Sequence, residues 1–428
     1  MTRKLLFRKT YGDSLPARAN AGDSSKGLFV TLSFKRLATS SQTAFSLRLS
    51  GFFAAQFFVY GVQLPFLSVW LYWRGLDPAE IGIVTAVPLF LRLAIGPAAA
   101  FLADRSGDRR QAVLTAALCA LLAVLGLSLA HSFFPILIAT TVFIIAVVTC
   151  APIGEAIALA GVRQVGADYG RMRLWGSLSF IVATFAGGAF VGTFGPGPVV
   201  WLLVAGTAAL ALSAWVIPRL EEAEPREKPS AAGQLTLAEV SRVAGSRTFC
   251  LFVFSAAVVQ ASHAVFYVFG SLHWQAQGFS GTTIGILWSV GVLAEVLLFA
   301  VSGRFINKIE PVSLIVAGAV AAIIRWGIMA LDPSLVLLFP LQLLHALTFG
   351  ATHLGAMHFI HRTVPQEQAG TAQAIFATAT GGVAMGLATL LAGKIYAPLG
   401  GTSYAAMAVL GLLGLFGAIA LRRQRVDQ

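Results

Sequence analysis

Apolar residues run along this chain in blocks of about twenty, separated by short polar stretches, from Phe52 to Leu421. A helix needs ~20 mostly apolar residues to cross the hydrocarbon of a bilayer. Read with that window, the chain predicts about twelve spans, near 50–72, 80–103, 112–130, 136–162, 169–194, 199–218, 249–273, 282–302, 312–331, 335–360, 372–394 and 402–421. The predicted fold class is an all-α polytopic membrane protein, because helices satisfy their own backbone groups where no water is present.

The polar stretch 219–247, which holds Glu221, Glu222, Glu224, Pro225, Glu227 and Pro229, is the longest break between spans and falls near the middle. The expected organisation is a tail at 1–43, a six-helix half at 44–218, a loop at 219–247, a second six-helix half at 248–421 and a basic tail at 422–428. An internal repeat supports it. Sliding the sequence on itself by 203 residues sets Gly75 on Gly278 and Ile81, Gly82, Ile83 on Ile284, Gly285, Ile286. In the same register Arg92 meets Glu295, and Asp104, Arg105 meet Asn307, Lys308. Two parallel halves of this kind place a solute site near the midplane between them.

Composition narrows the class further. Of 428 residues 57% are hydrophobic and 11% charged, with a mean hydropathy of +0.80, so the solvent for most of the chain is lipid. The net charge of +12 raises the question of nucleic acid, and its placement answers it. Alternating the breaks puts Arg105, Arg109, Arg110, Arg163, Arg171, Arg219, Arg226, Lys228, Arg242, Arg247, Arg304, Lys308, Arg362, Arg422, Arg423 and Arg425 on one side. The other side keeps little beyond Arg74 and Lys394. Such asymmetry marks the cytoplasmic face, so both termini are expected in the cytoplasm of a plasma (bacterial inner) membrane, and no nucleic-acid partner is expected. Residues 1–43 lack the apolar core of a signal peptide and read as a tail. Cys119, Cys150 and Cys250 lie in or beside apolar runs and read as buried, inert thiols.

Ionisable groups at membrane depth are costly and mark pathways or relays. Here they are Arg92, Glu155, Arg173, His263, Glu295, Arg325, His345, His353 and His358. Gln56, Tyr60, His263 and Tyr267 fall on the first helix of each half, where they can line a cavity, with Phe57 and Phe266 offering ring faces. His358 and His361 are a turn apart without a third ligand, so neither metal nor cofactor is expected. Neither a His-Glu-x-x-His nor a Gly-x-Ser-x-Gly string occurs, and no catalytic residue is assigned.

The break after the second span, 102–110, reads Leu-Ala-Asp-Arg-Ser-Gly-Asp-Arg-Arg. It resembles the signature loop of the major facilitator superfamily, and the resemblance makes Asp104, Arg105, Gly107 and Arg109 a conformational latch. Further on, Glu155 and Arg173 lie eighteen residues apart, and Arg325 and His345 twenty, with Glu295 on the helix before. These spacings are similar to those of the lactose permease branch, whose sugar-binding pair and proton-coupling set they match. That branch carries a carboxylate where this chain has Thr348 and a stacking Trp where it has Phe180. The chain resembles the 3-phenylpropionate permease family more closely, over 60–70, 168–177, 287–299 with Glu295, and 324–329 with Arg325.

That resemblance implies a proton-coupled symporter importing a small organic acid such as an aromatic carboxylate, working as a monomer by alternating access. Glu295, Arg325 and His345 would couple protons. Arg92, Glu155, Arg173, Gln56, Tyr60, His263 and Tyr267 would form the substrate site, with Arg92 or Arg173 gripping a carboxylate. Arg92 equally serves as a tie between helices. A sugar or nucleoside symporter and an efflux or antiport carrier are the alternatives within the fold. A sensor or an intramembrane enzyme is the alternative outside it.

Overall fold

The computed structural model describes residues 24–218, 241 and 243–426, with side chains from 41 to 424 save 100, 103, 104, 106 and 242. Of the sequence features discussed above, residues 1–23, the central loop over 219–240 with Arg219, Arg226 and Lys228, and Arg242 lie outside it. Among the described residues every regular element is helical. The first half holds α1 (Ser24–Trp73), α2 (Pro78–Ser106), α3 (Arg109–Leu129), α4 (Phe133–Val165), α5 (Tyr169–Phe194) and α6 (Val199–Val216). The second holds α7 (Arg247–Ala261), α8 (Ala264–Ala276), α9 (Gly281–Ser302), α10 (Pro311–Met329), α11 (Leu335–Leu343), α12 (Thr352–Thr363), α13 (Ala369–Ala377), α14 (Met385–Leu399) and α15 (Tyr404–Val426).

Among the described residues eleven stretches are long and apolar enough to span a membrane. The last, Gln366–Gln424, has 59 residues, roughly 90 Å of helix at 1.5 Å per residue, and must cross twice. It turns at Gly400, whose φ is 52°. The pairs α7–α8, α11–α12 and α13–α14 are each one span interrupted at mid-membrane. The second and third interruptions are π-helical turns at Ala346–Ala351 and Thr378–Ala384.

Helix ends follow local chemistry. Asp77 and Glu80 form a reciprocal capping box at the start of α2 (2.8 and 3.0 Å) behind which Pro78 takes the first helical position. Asp108, Asp168 and Ser280 accept backbone N–H groups at the starts of α3, α5 and α9. Gly75 and Gly278, matched by the repeat, turn into the two equivalent helices with φ of 93° and 84°, a backbone that a side chain would strain. Residues 24–43 are helical and run directly into the first span as part of α1. One expectation is corrected. Of the cysteines only Cys150 is buried. Cys119 and Cys250 are exposed, because in a membrane protein an apolar position can face lipid as well as core.

Within the first half α1 packs on α5 and α6, and α3 on α4 and α6. Across the halves α5 meets α9, α2 meets α14 and α1 meets α8. These contacts concentrate on the side away from the arginine-rich loops, here termed the far side, the other being the basic side. A methyl added at Gly188 would fall on the Gly281 carbonyl, one at Gly285 on the Thr184 carbonyl, and one at Gly82 on the Gly393 backbone. Gly82 and Gly285 are repeat mates, so the two contacts are related by the internal symmetry. Thr184 and Ser289 share a 2.7 Å hydrogen bond between α5 and α9. Backbones this close leave no passage on the far side.

Gly188→Leu should therefore wedge the far side apart. Electron-spin distances between labels at the exposed far-end positions Thr193 and Thr402 should lengthen by roughly 2–4 Å, the depth of the inserted side chain, and an unchanged distribution would refute the closing role of this contact.

Candidate functional site

A cavity of about 670 Å³ lies between the halves and runs from mid-membrane toward the basic ends of α5 and α9. Tyr169 and Gly170 mark its outer end on α5, Phe180 its depth. Its walls combine aliphatic residues with many rings, among them Phe57, Phe180, Phe266, Tyr267, Trp288 and Phe349. Phe266 stacks on Trp288 at 4.5 Å, and the Trp288 Nε1 donates to Ser271 Oγ (2.9 Å), so the largest ring is fixed from both ends.

The polar groups on the second-half wall form one connected set. Arg325, on α10, is fully buried. Its Nη1 donates to His345 Nδ1 (3.2 Å) and Thr348 Oγ1 (3.1 Å), and its Nη2 to Gln342 Oε1 (2.8 Å). Its Cζ lies 4.9 Å from the Phe266 ring and 4.4 Å from the Trp326 ring. Among the described residues no carboxylate comes within ion-pair distance of it, so three hydrogen bonds and two ring faces offset the burial of its charge.

That arrangement fixes proton positions. Arginine has no acceptor, so His345 Nδ1 must accept and the ring proton sits on Nε2. Nε2 points at Glu295 Oε2, 3.3 Å away on α9. On the other branch His263 Nδ1 lies 2.9 Å from the Gln260 carbonyl and must donate to it, so Nε2 accepts from the Thr348 hydroxyl (2.9 Å). Thr348, the position where the lactose permease branch has a carboxylate, here joins Arg325 to His263. The backbone breaks make these bonds available: His263 caps the interruption between α7 and α8, and Gln260 Nε2 donates to Phe349 O in the π turn (3.2 Å).

On the first-half wall stands Arg173. Its guanidinium lies over the Phe57 ring at 3.9 Å and faces the cavity, within electrostatic reach of Glu295 opposite. Among the described residues it has no ion-pair partner.

The structure brings together Glu295, His345, Arg325, Arg173 and Tyr267 at this cavity. The others stand elsewhere. Arg92 donates to the Gly381 carbonyl, freed by the second π turn, and so ties α2 to the other half. Gln56 is buried and donates to Val147 O on α4 (2.9 Å). Tyr60 stands edge-on to Phe57 at 5.3 Å. Glu155 is half-buried on α4 and does not pair with Arg173. His263 lies behind Tyr267, stacked on it at 5.3 Å. In the signature loop Gly107 ends α2 with φ 68°, Arg105 is exposed and Arg109 half-buried, while the Asp104 side chain is outside the described residues. Arg110 donates to Trp215 O at the end of α6, a bond no motif announced. Gln342 and Trp288 were not singled out either. Both look like ordinary span residues until their neighbours are known.

Two joined halves of membrane helices, sealed on one side and enclosing a cavity that opens toward the other, are the architecture of a solute carrier. Residues 46–405 match the MFS_1 like family, and the chain belongs to it. It is 31% identical over 368 residues to a probable 3-phenylpropionic acid transporter of Escherichia coli (strain K12), covering 84% of this chain and 93% of that one. It is 26% identical over 367 residues to a maltose permease of Geobacillus stearothermophilus, with 85% and 89% covered. The fold is similar to that of the nucleoside transporter NupG, with TM-score 0.76, 18% identity, and 89% and 98% of the two chains covered. A bacterial homolog of the lysosomal transporter Spinster in an inward-facing, unoccupied conformation gives TM-score 0.71 at 17% identity, with 90% and 98% covered. The chain is an integral membrane transporter of the major facilitator type.

Thr348→Val keeps the shape but strands Arg325 and His263, each losing a buried hydrogen bond worth about 1–3 kcal/mol when unmade. The melting midpoint of the detergent-solubilised protein should fall by roughly 2–5 °C, with Thr348→Ser near the parent. Equal midpoints for all three would show that the hydroxyl bridges nothing of consequence.

Proposed function

We propose that this transporter is a proton-coupled symporter that imports a small aromatic carboxylate. One observation carries the reading: a ring-walled cavity holds an unpaired arginine, Arg173, on one half and a carboxylate tied to an imidazole, Glu295 with His345, on the other. The 31%-identical relative, a probable 3-phenylpropionic acid transporter, supports the same substrate class.

Magnitudes decide between a ring and a polar solute. Burying about 150 Å² of an aromatic solute yields about 4 kcal/mol, near a millimolar Kd alone. A charge-assisted bond from Arg173 to a carboxylate adds about 1.5–3 kcal/mol and brings affinity toward the micromolar range. A sugar, by contrast, would leave most of its hydroxyls against ring faces in this cavity, at a desolvation cost for each unpaired group. Arg173 is the better carboxylate partner than Arg92, whose guanidinium is occupied at Gly381. Glu155, Gln56 and Tyr60 then support the wall from behind, and His263 and Tyr267 support His345.

In the working cycle Glu295 takes a proton when the site faces the far side. The neutral carboxyl and the paired substrate anion lower the charge of the interface and permit the halves to rock, opening the basic side. Deprotonation there resets the cycle. Asp104, Arg105, Gly107 and Arg109 would latch the basic side when it closes. The arginine-rich face is assigned to the cytoplasm of a bacterial inner membrane, with both termini inside, and the carrier to a monomer whose halves are 44–218 and 248–421.

Uptake of radiolabelled 3-phenylpropionate into proteoliposomes, with maltose and uridine as competitors, tests this reading. An inward proton gradient should drive accumulation in the parent and not in Glu295→Gln. Arg173→Leu should weaken the apparent affinity about 10- to 100-fold. Gradient-independent flux, or displacement by maltose or uridine and not by the aromatic acid, would overturn it.

A further inference from the structure

Glu295 has neighbours on two sides. Its Cγ passes beside Gly350, at ordinary contact distance (3.7 Å) from where a Cβ there would stand. Gly350 sits in the π turn between His345 and α12, and imidazoles of that span lie on either side of it: His345 inward, 3.3 Å from the carboxyl, and His353 outward, against Phe299, one turn after Glu295 on α9. His345, Phe349 and His353 stack as a ladder, with ring centroids 5.5 and 6.1 Å apart and interplanar angles of 15° and 7°. Phe299, from α9, closes on His353 edgewise at 6.5 Å. The π turn sets this alignment, since its wider winding lets residues four apart present parallel rings.

The two imidazoles differ in what they can do. The His345 ring is locked between Arg325 and Glu295, with Nδ1 committed as an acceptor from a permanent cation. His353 lies eight residues, about 12 Å, nearer the basic end of the same span and is half-buried. Among the described residues the titratable group facing it is Glu295. Arg173 faces that carboxylate from the opposite wall, and Arg325 and His263 face His345. A proton on Glu295 therefore finds a fixed, cation-backed ring inward and a half-buried ring, not bonded to the arginine, outward.

We propose that His353 is the proton-exit group, receiving the proton from Glu295 and handing it to water on the basic side. The inference rests on the proton-coupled reading above. The Glu295 O–H bond breaks as an N–H bond forms on the His353 imidazole, leaving a carboxylate and an imidazolium. The imidazolium then gives its proton to water of the basic-side mouth and returns neutral, so His353 is unchanged over the cycle. With the carboxylate restored beside His345, the second-half wall is ready to face the far side again.

The test compares two transport modes of radiolabelled 3-phenylpropionate in proteoliposomes, using His353→Phe, which keeps a ring on Phe349 but cannot take a proton. Net gradient-driven uptake should fall at least about tenfold and lose its dependence on pH at the basic face, while exchange of labelled for unlabelled acid, which needs no proton release, falls less than about twofold. Net uptake close to that of the parent would overturn the proposal. Equal losses in both modes would overturn it as well, since they mark a merely structural ring. A parent whose uptake ignores the gradient, with Glu295→Gln indifferent too, removes the coupled reading itself; a gradient-driven parent with an indifferent His353→Phe removes only this inference.

Discussion

A guanidinium buried in apolar protein without a carboxylate beside it is expensive, and the second half of this carrier is organised around the charge of Arg325. An uncompensated ion in a low-dielectric interior costs several kcal/mol, so each neighbour has a defined task. Gln342, Thr348 and His345 accept its protons, and Phe266 and Trp326 offer ring faces. Because arginine only donates, it dictates the tautomer of His345 and thereby aims an N–H at Glu295. The carboxylate of that wall is thus held by a chain of bonds whose direction begins at a group that only donates.

The same half contains the backbone interruptions, and the two facts are connected. Regular membrane helices satisfy most of their own backbone groups. The break at Ser262 and His263 and the two π turns release carbonyls that Gln260, His263 and Arg92 then fill. Arg92 crosses to the other half to reach the Gly381 carbonyl, which makes it a mid-membrane tie, whereas Arg173 lies over the Phe57 ring and lines the cavity. A hydrogen-bonded second-half wall thus faces an arginine stacked on a ring in the first half.

Closure of the far side depends on the absence of side chains. At Gly188, Gly281, Gly285, Gly82 and Gly393 the backbones of the two halves touch, and the pairs α5–α9 and α2–α14 are equivalent under the internal repeat. A symmetric pair of glycine contacts can part and reform without breaking strong bonds; dispersion and the hydrogen bonds of Ser289 to Thr184 and to Ile181 O hold the α5–α9 contact.

Sequence by itself determined the class of solvent, the spans, the two-half plan and the list of buried ionisable residues, because length, hydropathy and charge asymmetry are local properties that the bilayer reads directly. It also paired Gly75 with Gly278 and Gly82 with Gly285, and Glu295, His345 and Arg325 stood out since any ionisable group at membrane depth does. It could not tell which of them meet. Arg92 and Arg173 look alike on a helix, yet one is bonded to Gly381 and the other lies open over Phe57. Glu155 and Arg173, suggestively spaced, do not touch, while Thr348, which seemed a missing carboxylate, turned out to bridge Arg325 and His263. Cys119 and Cys250 read as core and face outward. Those outcomes depend on helix rotation, on π turns that shift register by a fraction of a residue, and on how closely glycines let two halves approach. Such quantities exist only once helices far apart in sequence are packed together, and tertiary structure alone decided them.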